Sequence, residues 1–142
     1  EGEELKASLL ACLDELQNLL AVIESRKELV PAEYAEKLRQ RIAELTAGTD
    51  IDEARFTTEV ALMADRSDIS EETVRLATHI NQFRNTMTEE GAVGRKLDFI
   101  VQEMNRELNT IGSKSGDLTI TNAVIAGKSV VEKIREQVQN IE

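Results

Sequence analysis

Glu103 and Glu107 stand four residues apart in a stretch whose apolar residues recur at helical spacing. At 3.6 residues per turn they fall on one helix face, about one turn from each other. Two carboxylates so placed can offer oxygen to the same divalent cation, and Mg²⁺ or Mn²⁺ takes oxygen ligands. The guanidinium of Arg106, nearby, fits a phosphate with two parallel hydrogen bonds, a contact an ammonium makes less well. Asn105 and Asn109 bring short amide arms that orient water or a sugar hydroxyl. The plainer alternative is a solvated helix face, with Glu103 and Glu107 paired to Lys96 or Lys114 along it.

The helix carrying these groups is predicted from Leu97, Ile100, Val101, Met104, Leu108 and Ile111, which form one buried stripe. The rest of the wheel holds Arg95, Lys96, Asp98, Gln102, Glu103, Asn105, Arg106, Glu107, Asn109 and Lys114. An ordinary exposed face is mostly Glu, Lys and Ala. Two Asn and an Asp lower helix propensity, because short polar arms compete for backbone hydrogen bonds. A helix keeps them where the groups are needed.

Other chemistries lack their residues. His79 is the sole histidine, so an imidazole acid working with an imidazole base cannot come from one chain. It lies outside the polar helix and is expected to be structural. That shortage turns any hydrolytic reading toward a bound metal ion. GAVGRK has the wrong spacing for a phosphate-binding loop, with no Ser or Thr after its Lys. One Cys and one His exclude a zinc pattern. Cys12 sits on an apolar seam as a small buried side chain and suits a reducing, cytoplasmic compartment. Phe56, Phe83, Phe99 and Tyr34 are scattered rather than interleaved with basic residues. Glu59, Asp65 and Asp68 form a second acidic group; Glu59 is kept as a possible extra ligand, and Asp65 and Arg66 as possible partners of the polar helix.

The elements that must position these residues are helical. The 142 residues are 41% hydrophobic, 3% aromatic and 31% charged, with one Pro and no Trp, which favours long packed helices. Leu5, Leu9, Cys12, Leu16, Leu19 and Ile23 alternate steps of four and three, the coiled-coil period. Pro31 is predicted in the first turn of a second helix ending near Leu45, with Gly48 as a left-handed stop. A third, from about Asp52 to Ala64, turns Phe56, Val60 and Met63 inward. Asp68 is expected to cap a fourth, with Glu71 completing a capping box; Val74, Leu76, Ala77, Ile80, Phe83 and Met87 follow at helical spacing. Gly91 and Gly94 suit a turn before the polar helix. After GSKSGD at 112–117, Ile120, Val124, Gly127, Val131, Ile134, Val138 and Ile141 keep the heptad without a slip. Gly127 should cost about 1 kcal/mol of helix propensity unless another backbone packs closely on it. The expected fold is all-α: long antiparallel helices with coiled-coil-like packing and a smaller helical insertion. Its parts are residues 1–47, an insertion at 48–92, and the polar and heptad helices at 93–142.

The longest apolar run, residues 9–13, is too short to cross a bilayer, no secretory signal is visible, and the first residue is not Met, as in a portion of a longer chain. Net charge is −10, which argues against simple adhesion to nucleic acid. The charge is uneven: residues 94–114 hold four bases and three acids, so this stretch is +1 and the remainder −11. A polyanion would need a bound cation, another domain, or basic groups gathered from several subunits.

The run GRKLDFIVQEMNRELNTIGSKSGD at 94–117 resembles the signature of the bacterial YicC/YloC family, as do EVALMADRSDISEE at 59–72 and the ending IREQVQNIE. The likeness covers nearly the whole chain, is best over 43–142 and is weakest over the first forty residues. The family commonly has Asn or Ala at Gly116 and a large apolar residue at Gly127. The resemblance implies a metal-dependent endoribonuclease acting on single-stranded RNA in RNA turnover or small-RNA regulation. It also implies a hexamer and a further N-terminal domain with no counterpart in these 142 residues. Carried onto this sequence, it implies a Mg²⁺ or Mn²⁺ held by Glu103, Glu107 and Asp98. Arg106 would act beside them, and Arg95, Lys96, Asn105, Asn109 and Lys114 would bind RNA. A non-catalytic helical oligomerisation module, or one that binds RNA without cutting it, fits the same residues.

Overall fold

Each long helix carries an apolar stripe that must be covered, and four of the helices cover one another. A computed structural model describes residues 2–48, 50–91 and 93–140, and among these there are six helices and no strand. They are α1 (Gly2–Lys27), α2 (Val30–Thr46), α3 (Glu53–Arg66), α4 (Ser70–Thr86), α5 (Gly94–Lys114) and α6 (Leu118–Gln139). α1 packs on α4 and α6, and α5 packs on the same two from the other side. Short links make α4, α5 and α6 successively antiparallel. Arg26, at the end of α1, meets Asp117 at the start of α6, so α1 is antiparallel to α6 as well. The result is an all-α, four-helix bundle.

The core follows the predicted seams and widens them. Leu9, Cys12, Leu16 and Ile23 of α1 are buried, but so are Leu13 and Leu20, because α1 faces two neighbours rather than one. The six apolar residues of the α5 stripe are all buried, as are Ile120, Val124, Val131, Ile134 and Val138 of α6. Ile141 lies outside the described residues. In α4 the expected inward Val74 is exposed, and Thr73 and Glu72 are buried instead.

The insertion is bounded differently from the 48–92 read from the sequence. α4 contributes Leu76, Ile80 and Phe83 to the core, so it belongs to the bundle. The projecting unit is α2 with α3: α2 buries no residue and α3 buries only Phe56. The Arg39 guanidinium lies 4.3 Å above the Phe56 ring and pairs with Glu53. Left-handed Ala47 (φ 51°) and Gly48 (φ 88°) end α2, and Gly91 (φ 92°) turns the chain before α5. Among the described residues no helix is long and apolar enough to cross a membrane.

Caps set where the helices start. The Asp68 carboxylate accepts the Ser70 amide at 2.9 Å and is held below its ordinary pKa, first by its hydrogen bonds to Ser70. The expected capping box is not made: Ile69 rather than Asp68 holds the N-cap position of α4, the Asp68 bond reaches only two residues along, and Glu71 pairs with Arg75. Asp117 caps α6, accepting the Ile120 amide at 3.1 Å, while Arg26 donates to both its oxygens. The Arg26 hydrogen bond, above all, holds the Asp117 carboxyl below its ordinary value of 3.8. A depressed folded pKa stabilises above the unfolded value and loses that contribution as pH falls through the folded one. Asp117→Ala should therefore cost about 1 kcal/mol at neutral pH. In urea melts across pH, that difference should shrink as pH drops below 4, roughly the unfolded pKa.

Gly127 faces side chains rather than backbone. A Cβ there would lie 3.2 Å from Leu108 Cδ2 and 3.5 Å from Leu16 Cδ1. The two leucines already occupy the space a larger residue would take. Gly127→Leu should lower stability by roughly 1–3 kcal/mol through overpacking, seen as a lower Tm.

Candidate functional site

The antiparallel pairing of α4 and α5 sets polar residues from both helices face to face. On α4, Glu72, Arg75 and His79 are three and four residues apart and share a face. On α5, Glu103, Glu107 and Lys114 lie on the face that meets it. The mutual register places His79 beside the two glutamates and Glu72 beside Lys114.

Glu107 is the centre of this arrangement and is only 5% exposed. Arg75 Nε donates to both its carboxylate oxygens at 3.2 Å. That contact raises the guanidinium's pKa above its ordinary value. His79 Nε2 lies 4.0 Å from Glu107 Oε2. The other ring nitrogen, Nδ1, is 3.0 Å from Gln82 Oε1. Assigned as an N–H donor to that oxygen, Nδ1 leaves Nε2 with a free lone pair. One donor atom from each of His79, Glu103 and Glu107 then lies within 4.8 Å of the others. Two carboxylate oxygens and an imidazole nitrogen are a donor set that Mn²⁺ accepts readily and Mg²⁺ less so. A cation among them would share Glu107 with Arg75, whose half-exposed side chain has room to withdraw.

Farther along the same seam, Glu72 is buried. Its Oε2 accepts Lys114 Nζ at 2.9 Å and lies 3.5 Å from Arg75, while Oε1 has no hydrogen-bond partner among the described residues. Lys114 also reaches the Asp68 carbonyl at 3.3 Å.

The residues singled out in the sequence do not all converge. Glu103 and Glu107 do. Asp98 is nine residues from Glu107, about two and a half turns, so it lies on the opposite side of α5. It accepts Gln102 Nε2 at 3.1 Å and is not part of the cluster. Lys96 pairs with Glu89, Asn109 accepts a hydrogen bond from Lys128, and Lys114 is taken up by Glu72. Arg95 and Arg106 are exposed without a carboxylate partner among the described residues, and Asn105 is half-buried. Glu59 pairs with Arg66 on α3, so neither it nor Arg66 joins the cluster. His79, expected to be structural because it stands outside the polar helix, lies beside both glutamates; its spacing from Glu72 and Arg75 is the signal the sequence carries.

Lys114 is therefore a strut of the fold. Lys114→Met should leave the Glu72 carboxylate short of a partner and cost about 1–3 kcal/mol, read from the urea midpoint.

A four-helix bundle with an imidazole and two carboxylates gathered between two neighbouring helices is the class of protein defined so far. Residues 23–142 match the family model described as endoribonuclease YicC-like, C-terminal, and the chain belongs to that family. It is 50% identical over 143 residues to a protein named probable endoribonuclease YicC from Clostridioides difficile (strain 630), covering all of this chain and 49% of that one. A protein of the same name from Haemophilus influenzae (strain ATCC 51907 / DSM 11121 / KW20 / Rd) is 39% identical over 142 residues, again covering all of this chain and 49% of the relative. The chain thus spans about half the length of the curated relatives it matches. The family match begins inside α1, ahead of the motifs at 59–72 and 94–117.

Proposed function

We propose that this chain is the helical portion of a metal-dependent endoribonuclease that cuts single-stranded RNA. The observation carrying this reading is the approach of His79, Glu103 and Glu107 within 4.8 Å, in a chain whose relatives are named probable endoribonucleases. Glu103, Glu107 and His79 would hold a Mn²⁺ or Mg²⁺. Such an ion lowers the pKa of bound water and offsets charge developing on phosphate oxygens. Arg106 lies three residues from Glu103, on the solvent side of the same turn. It takes a non-bridging phosphate oxygen pair and sets the linkage against the cluster. Arg75 pins Glu107, so the carboxylate is oriented before substrate arrives. Bound cations and the unpaired Arg95 and Arg106 offset a chain of net charge −10.

A non-catalytic oligomerisation module is the second reading. It is favoured by the exposed Leu118 and Ile125, seven residues apart on one face of α6.

The test uses full-length protein, labelled single-stranded RNA, and Mn²⁺ or EDTA. Glu103→Gln, Glu107→Gln and His79→Ala should each reduce cutting on the order of 100-fold or more, and EDTA should abolish it. Titration calorimetry with Mn²⁺ alone should show weakened binding in all three, with assembly size unchanged by gel filtration. Variants that cut like the wild type would remove these residues from the reaction. Variants that dissociate without altering Mn²⁺ binding would favour the oligomerisation module.

A further inference from the structure

The hollow between the start of α5 and the end of α6 lies away from the His79–Glu103–Glu107 cluster, about 480 Å³ in volume. Phe99 and Val138 supply its apolar surface, and Arg95, Asp98, Gln102 and Gln139 its polar rim. Phe99 is 62% exposed, whereas Phe83 is fully buried and Phe56 is covered by Arg39. It sits four residues after Arg95 and four before Glu103, so the three follow one another along the solvent side of α5. Arg95, at the outer end of this line, has no carboxylate partner among the described residues.

We propose that Phe99 is a stacking platform for an unpaired nucleobase of single-stranded RNA, in a nucleotide adjoining the one cut at the Glu103 side; this rests on the nuclease reading above. A flat ring with free π-faces stacks on an exposed Phe whatever its sequence. The Asp98 carboxylate and the Gln102 and Gln139 amides surround the ring with hydrogen-bonding groups suited to a base edge. Arg95 offers the preceding phosphate a two-pronged contact. The mixed polar lining favours this occupant over a protein surface. A partner helix wants a continuous apolar strip, but apart from Gly94 and Val138 the residues lining the hollow with Phe99 are charged or amide-bearing. Bases within a duplex hide their faces in the stack, so this subsite also selects for single strands.

The experiment uses full-length protein carrying Glu103→Gln and a short unstructured RNA with 2-aminopurine at one position. Binding should quench the fluorophore. Phe99→Ala and Phe99→Leu should each weaken single-strand binding roughly ten-fold or more and remove the quench, while Phe99→Trp retains both. Circular-dichroism melts should be unchanged, since Phe99 packs little. In an otherwise wild-type background the Ala variant should also lose preference for single strands over duplex. Unchanged binding by the Ala and Leu variants overturns the subsite. Weakened binding accompanied by dissociation of the assembly overturns it in favour of a contact with a second copy of this chain. Full-length protein with the native Glu103 that binds RNA without cutting it in Mn²⁺ sinks the nuclease reading and leaves the stacking result standing; protein with intact Phe99 that binds no RNA sinks both.

Discussion

A carboxylate placed inside a seam between two helices survives there only if cations and hydrogen-bond donors reach it. Glu72 and Glu107 impose that constraint on this bundle. Removing two acids from water without partners would cost several kcal/mol for each ion. Lys114 and Arg75 answer it across the α4–α5 contact. The consequence is register. Apolar stripes permit two helices to slide by a turn with little change in buried area. Glu72 opposite Lys114 and Glu107 opposite Arg75 permit only one alignment, and that alignment puts His79 beside Glu103 and Glu107.

The same network explains why the site is half closed. Glu107 is buried and committed to Arg75, whereas Glu103 is only half-buried and leads out toward solvent. One carboxylate is thus fixed by the fold and the other is free to follow a ligand. The partly exposed Arg75 holds the fixed one. It neutralises Glu107 while the seam is closed and has space to move aside for a stronger cation. Arg95, Phe99 and Arg106 then continue the polar face into open water, where a chain of phosphates and bases could lie.

How much of this was legible beforehand depended on whether one helix or two carried the information. The α5 stripe and the proximity of Glu103 to Glu107 follow from spacing within a single helix, and both are seen. Asp98 is set apart from them by the same arithmetic, since its angle around α5 places it beside Gln102. His79 could not be placed from α5 alone, because its nearness to the glutamates arises only when α4 docks antiparallel. Periodicity also did not reveal that α1 touches two neighbours, which is why Leu13 and Leu20 are buried beyond the heptad positions. Nor did it reveal that α4 belongs with the bundle rather than with the insertion. Thr73, small enough to pack and able to bond the Ser70 carbonyl, took the inward place that hydrophobicity had assigned to Val74.

The α2–α3 arm adds little to the core, with Phe56 and its Arg39 cover as the main apolar contact it makes. Its folding free energy is therefore largely local, its ties to the bundle being Val30 on the core and the Glu33 pair with Arg26. Amide protons of residues 32–48 and 50–66 would exchange with solvent through openings that leave the bundle closed. Arm and bundle thus form two thermodynamic tiers in one chain, and changes of sequence in the arm are nearly invisible to the seam that holds the carboxylates.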